Sequence, residues 1–412
     1  MQTYEQYKDS GIDWIGQIPE HWEIMNFRHT IKLRHGYQFR DNDFTESGIK
    51  IVKITQLNRE GYLDLSKADT ISKNRLNDFK NIIIKNDDIL MCLTGGTIGK
   101  IIKVYDLSEI VLQNYRVGHF SYINSNYCNN YLFYTLFADF FQKQIFFDLS
   151  ETGQPNIGME DMKKMIVTLP PIHEQKAIAK FLDEKTAKID ALVQTKEQQI
   201  EKLKELRQAK IHQAVTKGLD TNAPTKNSGV EWIGEIPVHW EVKRLKHLMR
   251  INNGLDYKHV QVDEGYPVIG SGGQFAYASN YLYDGEVLFL GRKGTIDKPL
   301  YYKGKFWTVD TMFYCVVNNM GITKYLYYFS TTIPFKYYST ATALPSMTQG
   351  DLNNHNIPIP PIQEQEQIVA YLDEVTGKID QAIAQKQEQI TKLKEYKQSL
   401  INDVVTGKVR VC

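Results

Sequence analysis

Ser10-Gly11-Ile12-Asp13-Trp14-Ile15-Gly16-Gln17-Ile18-Pro19-Glu20-His21-Trp22 returns in mid-chain as Ser228-Gly229-Val230-Glu231-Trp232-Ile233-Gly234-Glu235-Ile236-Pro237-Val238-His239-Trp240, with nine of thirteen positions identical. A second block repeats at another offset. Leu169-Pro170-Pro171-Ile172-His173-Glu174-Gln175 reappears as Ile359-Pro360-Pro361-Ile362-Gln363-Glu364-Gln365, and from Pro170 to Lys217 24 of 48 positions match the stretch starting at Pro360. The chain is a tandem duplication whose order is block, variable segment, proline-led stretch, then the same again. The two offsets, 218 and 190 residues, leave variable segments that differ in length by 28 residues.

The proline-led stretches have helical periodicity. Ile178, Leu182, Ile189, Leu192, Val193, Ile200, Leu203, Leu206, Ile211 and Val215 recur at three- and four-residue steps among Glu, Lys and Gln. The copy runs Ile368, Leu372, Ile379, Ile383, Ile390, Leu393, Leu400 and Val404. Pro171 and Pro361 stand where a helix starts, because a missing N–H costs nothing in the first turn. Each helix is expected to run about 45 residues, roughly 65–70 Å at 1.5 Å per residue. A single apolar stripe of that length needs a partner. The simplest partner is the other copy, in an antiparallel coiled coil through Leu182, Ile189, Ile200 and Leu203 with Leu372, Ile379, Ile390 and Leu393. The alternative is that each helix packs on its own globular segment.

The variable segments are short β-rich runs punctuated by Gly, Asn and Asp: Ile49–Ile54, Asn81–Ile84, Ile89–Leu93, Ile101–Tyr105, Val287–Leu290 and Phe313–Val317. Helical stretches interrupt them near Asn130–Gln144 and Lys324–Tyr328. Each segment reads as a compact α+β unit. Weak echoes between them, Gly96-Thr97-Ile98-Gly99-Lys100 with Gly294-Thr295-Ile296-Asp297-Lys298, imply a shared fold with different details. The expected organisation is an α+β, pseudo-twofold circular repeat: unit 1–168, helix 169–217, linker 218–227, unit 228–358, helix 359–412. The second helix should then end near the N-terminal block.

Composition excludes several classes. With 42% hydrophobic and 24% charged residues and a net charge of +1, the 412-residue chain is ordinary globular material. Cys92, Cys128, Cys315 and Cys412 are scattered without metal-like spacing, which fits free thiols and a cytoplasmic setting. No secretory signal and no membrane span are expected. Thr94-Gly95-Gly96-Thr97-Ile98-Gly99-Lys100-Ile101 has three residues between its outer glycines instead of a phosphate loop's four, and Ile101 replaces the metal-binding hydroxyl; it reads as a Gly-rich turn between strands. His173-Glu174-Gln175-Lys176 lacks the second histidine of a zinc protease helix. No nucleotide fingerprint or hydrolase elbow is present, so neither a cofactor nor a metal is expected. His21 and His239, beside Trp22 and Trp240, suit a structural hydrogen-bonded role.

Residues 1–171 carry 19 Lys and Arg against 21 Asp and Glu, and residues 221–359 carry 13 against 11. Bulk charge therefore gives no nucleic-acid footprint. Local basic clusters remain: Arg28, Lys32, Arg34 and His35; Lys243, Arg244, Lys246, His247 and Arg250; and Arg292-Lys293 on a Gly-rich turn.

The ordered set of motifs resembles the specificity subunit of type I restriction-modification systems. The resemblance rests on Trp-Ile-Gly-x-Ile-Pro-x-x-Trp opening each unit, Pro-Pro-x-x-Glu-Gln opening each long helix, and Leu182-Asp183-Glu184 with Leu372-Asp373-Glu374 inside it. It covers essentially the whole chain. It implies two target recognition domains that each read one half of a split site in double-stranded DNA. It also implies helices that act as spacer and dock two modification (methyltransferase) subunits, with restriction subunits in the full complex. Catalysis, adenine-N6 methylation and ATP-dependent cleavage, would lie in those partners, and this chain would be no enzyme. Base discrimination needs amide and guanidinium groups in loops, and the expected DNA contacts are Arg116, Gln154 and Asn156 in the first unit and Arg292, Lys293, Ser346 and Gln349 in the second. The competing reading is a coiled-coil scaffold or regulator with two ligand-binding heads that do not read DNA, which the near-neutral heads suit.

Overall fold

The computed structural model describes residues 2–58, 63–124, 127–147, 156–335 and 345–412. Contacts divide the chain into two compact units: Met1–Thr195 together with Gln389–Cys412, and Lys196–Glu388. Each contains one copy of the tryptophan block and a portion of both long helices.

In the first unit, an antiparallel sheet orders its strands Ile101–Lys103, Ile89–Cys92, Val117–Tyr122, Ile31–His35. A second sheet orders Phe44–Thr45, Thr70–Ile71, Ile49–Val52, Val111–Gln113, Ile83–Ile84, with one parallel pair between Ile49–Val52 and Val111–Gln113. Ile89–Cys92 is buried along its whole length, which explains why it reads as an unbroken apolar run. The expected helix near Asn130–Gln144 is two helices, Asn129–Phe137 and Asp139–Phe147, meeting at Ala138 in extended conformation.

The second unit has a single seven-stranded sheet. Its order is Met249–Asn253, Met312–Val317, Tyr283–Gly291, Leu300–Thr308, Tyr266–Gly270, Gly273–Ala278, Gln261–Val262. The two units therefore share the strand set nearest the tryptophan block and diverge beyond it. In each, the strand following that block pairs with the strand leading to the prolines: Glu23–Asn26 with Ile166–Leu169, and Glu241–Arg244 with Asn356–Ile359.

The long helices span Ile172–Lys217 and Ile362–Val405. Within the first unit, Lys397 Nζ reaches both oxygens of Asp190 at 2.8 and 2.7 Å. Within the second, Arg207 Nε donates to Asp380 at 3.0 Å and Lys386 Nζ to Gln199 at 2.6 Å. Rising numbers on one helix meet falling numbers on the other, so the pairing is antiparallel. Leu182, Ile189, Ile200, Leu372, Ile379 and Ile390 are buried, while Leu203 and Leu393 are half-buried. Leu192 and Leu206 depart from the expected stripe at 51% and 45% exposure. Leu192 stands only three residues after Ile189, and Val193, at the four-residue step, takes the inward position. Each helix also packs on globular parts of its unit. Tyr134 Oη donates to Asp183 at 2.7 Å, and Tyr328 Oη donates to Asp373 at 2.6 Å.

The tryptophan block is a joint. Trp22, fully buried, donates its indole N–H to Glu174 at 3.0 Å, while His21 and Tyr4 reach the same carboxylate at 2.5 and 2.8 Å. Burial alone would raise the Glu174 carboxyl, but these hydrogen bonds outweigh it and hold it below its ordinary value. The second helix ends against this joint: a Cβ on Gly407 would collide with Pro19, and Val405 O accepts from both Tyr131 and Thr168. The second unit repeats the arrangement. Trp240 and His239 converge on Glu364 at 3.0 and 2.8 Å, Gly218 packs on Trp240, and Tyr325 donates to Val215 O. This is the circular repeat: the end of each long helix closes on the block belonging to the other half of the sequence.

Candidate nucleic-acid interface

Both units build the same three-way junction where a central strand leaves the sheet. In the first unit, Leu93 N donates to Arg116 O at 3.0 Å, Ile157 N donates to Leu93 O at 2.9 Å, and Thr94 forms a β-bridge with Asn156. In the second, Arg292 N donates to Thr311 O at 2.8 Å, Met347 N donates to Arg292 O at 2.9 Å, and Lys293 bridges to Ser346. The junction therefore equates Leu93 with Arg292, Thr94 with Lys293, Arg116 with Thr311 and Asn156 with Ser346. None of the four pairs keeps its residue. Each junction carries one arginine, but on opposite sides of the same backbone hydrogen bond.

The first junction borders a cleft of about 640 Å³ lined by His35, Thr94, Gly95, Gly96, Arg116 and Asn156, among others. Arg116 is exposed. Its Nε donates to Tyr115 Oη at 2.7 Å, and its guanidinium carbon lies 5.3 Å from the Tyr115 ring centre. That contact orients the guanidinium and leaves its two terminal nitrogens unpartnered among the described residues. The side chains of Asn156 and Thr94 likewise form no hydrogen bond there. Gln154 lies outside the described residues. The arrangement offers a planar guanidinium, an amide and a hydroxyl around one opening, groups suited to base edges and phosphates.

In the second unit, Arg292 is half-buried, donating from Nη1 to Asp310 O at 3.2 Å, with its guanidinium carbon 6.0 Å from the Phe313 ring centre. Lys293 is exposed beside Ser346. Gln349 does not join this group. Its Nε2 donates to Ile251 O at 2.7 Å, on the edge strand Met249–Asn253. It lines a separate groove of about 860 Å³ with Lys246, Arg250, Asn252 and Asn253. Gln349 is only three positions after Ser346 in sequence, but it opens the short helix Gln349–Asn354, capped by Thr348, and this turns it away.

Arg34, from one of the basic clusters, is a framework residue. Its Nε donates to Gln113 at 3.0 Å, Nη2 donates to Ile83 O at 3.3 Å, and Asp88 lies 3.9 Å away. Burial lowers the guanidinium pKa, partly offset by Asp88. Thr94, Tyr115 and Thr311 were not anticipated as site residues. The echo between the two Gly-Thr-Ile turns, once a one-residue gap is allowed, finds Thr94 opposite Lys293; Tyr115 and Thr311 come to light only through the hydrogen bonds of the fold. Among the described residues, no group of three His, Cys, Asp or Glu side chains could hold a metal, and no helix is long and apolar enough to cross a membrane.

A family model for the type I restriction modification DNA specificity domain matches residues 19–202 and again 237–392. The type I restriction enzyme MjaVIII specificity subunit of Methanocaldococcus jannaschii is 31% identical over 196 residues, covering 46% of this chain and 45% of that relative. The putative type I restriction enzyme MjaX specificity subunit of the same organism is 26% identical over 426 residues, covering 96% of each. The fold is similar to that of a chain solved for the structural basis of complex assembly and conformational transition of the type I R-M system. The TM-score is 0.72, over 95% of this chain and 99% of that one, at 15% identity. At that identity the likeness is one of fold.

Proposed function

The chain belongs to the type I restriction-modification DNA specificity family, and on that premise we propose that it is the non-catalytic subunit through which a methyltransferase complex reads a bipartite sequence in double-stranded DNA. The observation that carries this reading is the pair of junctions. One backbone scaffold is kept twice, while Leu93, Thr94, Arg116 and Asn156 are exchanged for Arg292, Lys293, Thr311 and Ser346. A backbone kept in both copies with unlike side chains on it is what two readers of unlike half-sites need, so the site is asymmetric. The DNA-contacting set is Arg116, Gln154 and Asn156 from one reader and Arg292, Lys293, Ser346 and Gln349 from the other. The readers span residues 1–168 and 228–358.

The paired helices, 169–217 and 359–412, serve as spacer between the half-sites and as docking surface for two adenine-N6 methyltransferase subunits, through which restriction subunits join. Methyl transfer and DNA cleavage belong to those partners, and the complex works in the cytoplasm. The test is footprinting by the full chain assembled with its methyltransferase subunits. Protection of two short segments separated by unprotected bases is expected. Absence of any protected bipartite sequence would favour a scaffold whose heads bind something else, and methylation by the purified chain alone would overturn the division of labour.

A further inference from the structure

We propose that the first unit seats a base edge of duplex DNA in the cleft between the Thr94–Thr97 turn and Arg116, and that Gly96 determines specificity by keeping the floor of that cleft clear. The proposal rests on the DNA-reading function and adds a residue and a mechanism to it.

The two Gly-rich turns differ by one residue. Counting from the junction, Thr94-Gly95-Gly96-Thr97-Ile98 faces Lys293-Gly294-Thr295-Ile296. Gly95 (φ +77°) matches Gly294 (φ +80°), and this left-handed position is one the turn itself requires. Gly96 is the extra residue. Its φ lies outside the left-handed region, and a Cβ built on it would meet nothing within 4 Å among the described residues. Neither backbone conformation nor packing against those residues calls for glycine there. Gly96 is also exposed, and it lines the cleft whose other walls carry Arg116, Thr94 and Asn156, whose terminal guanidinium nitrogens, hydroxyl and amide make no hydrogen bond among the described residues. A side chain at this position would take up open space at the lining of the cleft that a base edge must enter to meet Arg116 and Asn156. Guanine presents O6 and N7 to an arginine fork, and adenine presents N6 and N7 to an amide, so a bare floor beside both groups suits a purine edge in the major groove. The shorter turn of the second unit has no counterpart of Gly96, which accords with the two units reading different bases.

The test uses the full chain assembled with its methyltransferase subunits, incubated with a random-sequence duplex library and read by methylation sequencing. Wild type, Gly96→Ala and Gly96→Leu are compared, with thermal melting of each. The expected result is an unchanged melting temperature for both variants. Modification of wild-type sites should fall roughly tenfold or more for Gly96→Leu and less for Gly96→Ala, the change confined to bases of one half-site. A Gly96→Leu variant that marks the wild-type sequence at the wild-type rate overturns the proposal. So does one that melts early, because the fold would then need the glycine for itself. If the wild-type complex marks no bipartite sequence, the DNA-reading function itself fails; if wild type and Gly96→Leu mark the same one, only the role of the cleft fails.

Discussion

Glu174 shows how a single residue ties three parts of one unit together. Its carboxylate, almost wholly buried, takes hydrogen bonds from Trp22, His21 and Tyr4. A carboxylate accepts all three readily, whereas an amide has one acceptor oxygen and presents an N–H₂ to the remaining donors. Glu174→Gln should lower unfolding free energy by about 2 kcal/mol, the scale of a lost hydrogen bond to a charged group, measured as a shift in urea midpoint. His355 makes a separate prediction. It is 2% exposed and stacks on Trp232 with ring centres 4.8 Å apart, and burial lowers its pKa from 6.5 to about 4. The unfolded chain takes up a proton near 6.5 that the folded chain refuses until about 4. Stability should therefore fall as pH drops through that window and level off below it. Urea titrations at several pH values should show this slope in wild type and a shallower one in His355→Phe; parallel profiles would contradict it. Neither residue announces this role in the sequence. Glu174 sits in a recognisable motif, but two of its donors, His21 and Trp22, come from the tryptophan block and the third, Tyr4, from the segment before it, and only the fold brings them to one carboxylate.

At the scale of elements, the long helices were the most legible part of the chain. Their apolar residues repeat with one period over many turns, and Ile178, Leu182, Ile189, Ile200, Ile379 and Ile390 are all buried as that period requires. What periodicity could not separate was the shoulder from the seam, so Leu192 and Leu206 read as core yet lie exposed. The variable units were less legible, because short strands buried on both faces lose the alternation that identifies them; Ile89–Cys92 is an example. The candidate site was legible in part. Arg116 with Asn156, and Lys293 with Ser346, are brought to common junctions, whereas Gln349 turns away with its own short helix. If the paired helices set the distance between half-sites, then inserting two helical turns after Lys196 and after Lys386 should lengthen the unread spacer and leave both half-sites unchanged. Methylation sequencing checks this, and a change in the half-site bases themselves would show that the helices do more than space. The exposed ion pair of Lys397 with Asp190 makes a control. Reversing it with Lys397→Glu should cost under about 1 kcal/mol, as surface pairs do, and should not alter the sequence read.

The whole molecule is one design used twice, with its ends exchanged. Gly407 closes on the joint of Trp22, and Gly218 on the joint of Trp240, so each unit is completed by a helix end from the opposite half of the sequence. The repeated blocks form joints, and the proposed reading chemistry lies in residues the duplication did not preserve. Exchange of residues 24–168 for the corresponding unit of another family member should therefore change one half-site and spare the other. The base sequence itself was not readable from the chain, because recognition through loop side chains follows no positional code that spacing or periodicity could reveal. The most direct test is methylation sequencing of DNA modified by the full chain with its methyltransferase subunits. The expected result is one asymmetric motif in two parts, with unread bases between them and a methylated adenine in each. A palindromic motif, a single uninterrupted motif, or modification without sequence preference would contradict two unlike readers on a duplicated frame.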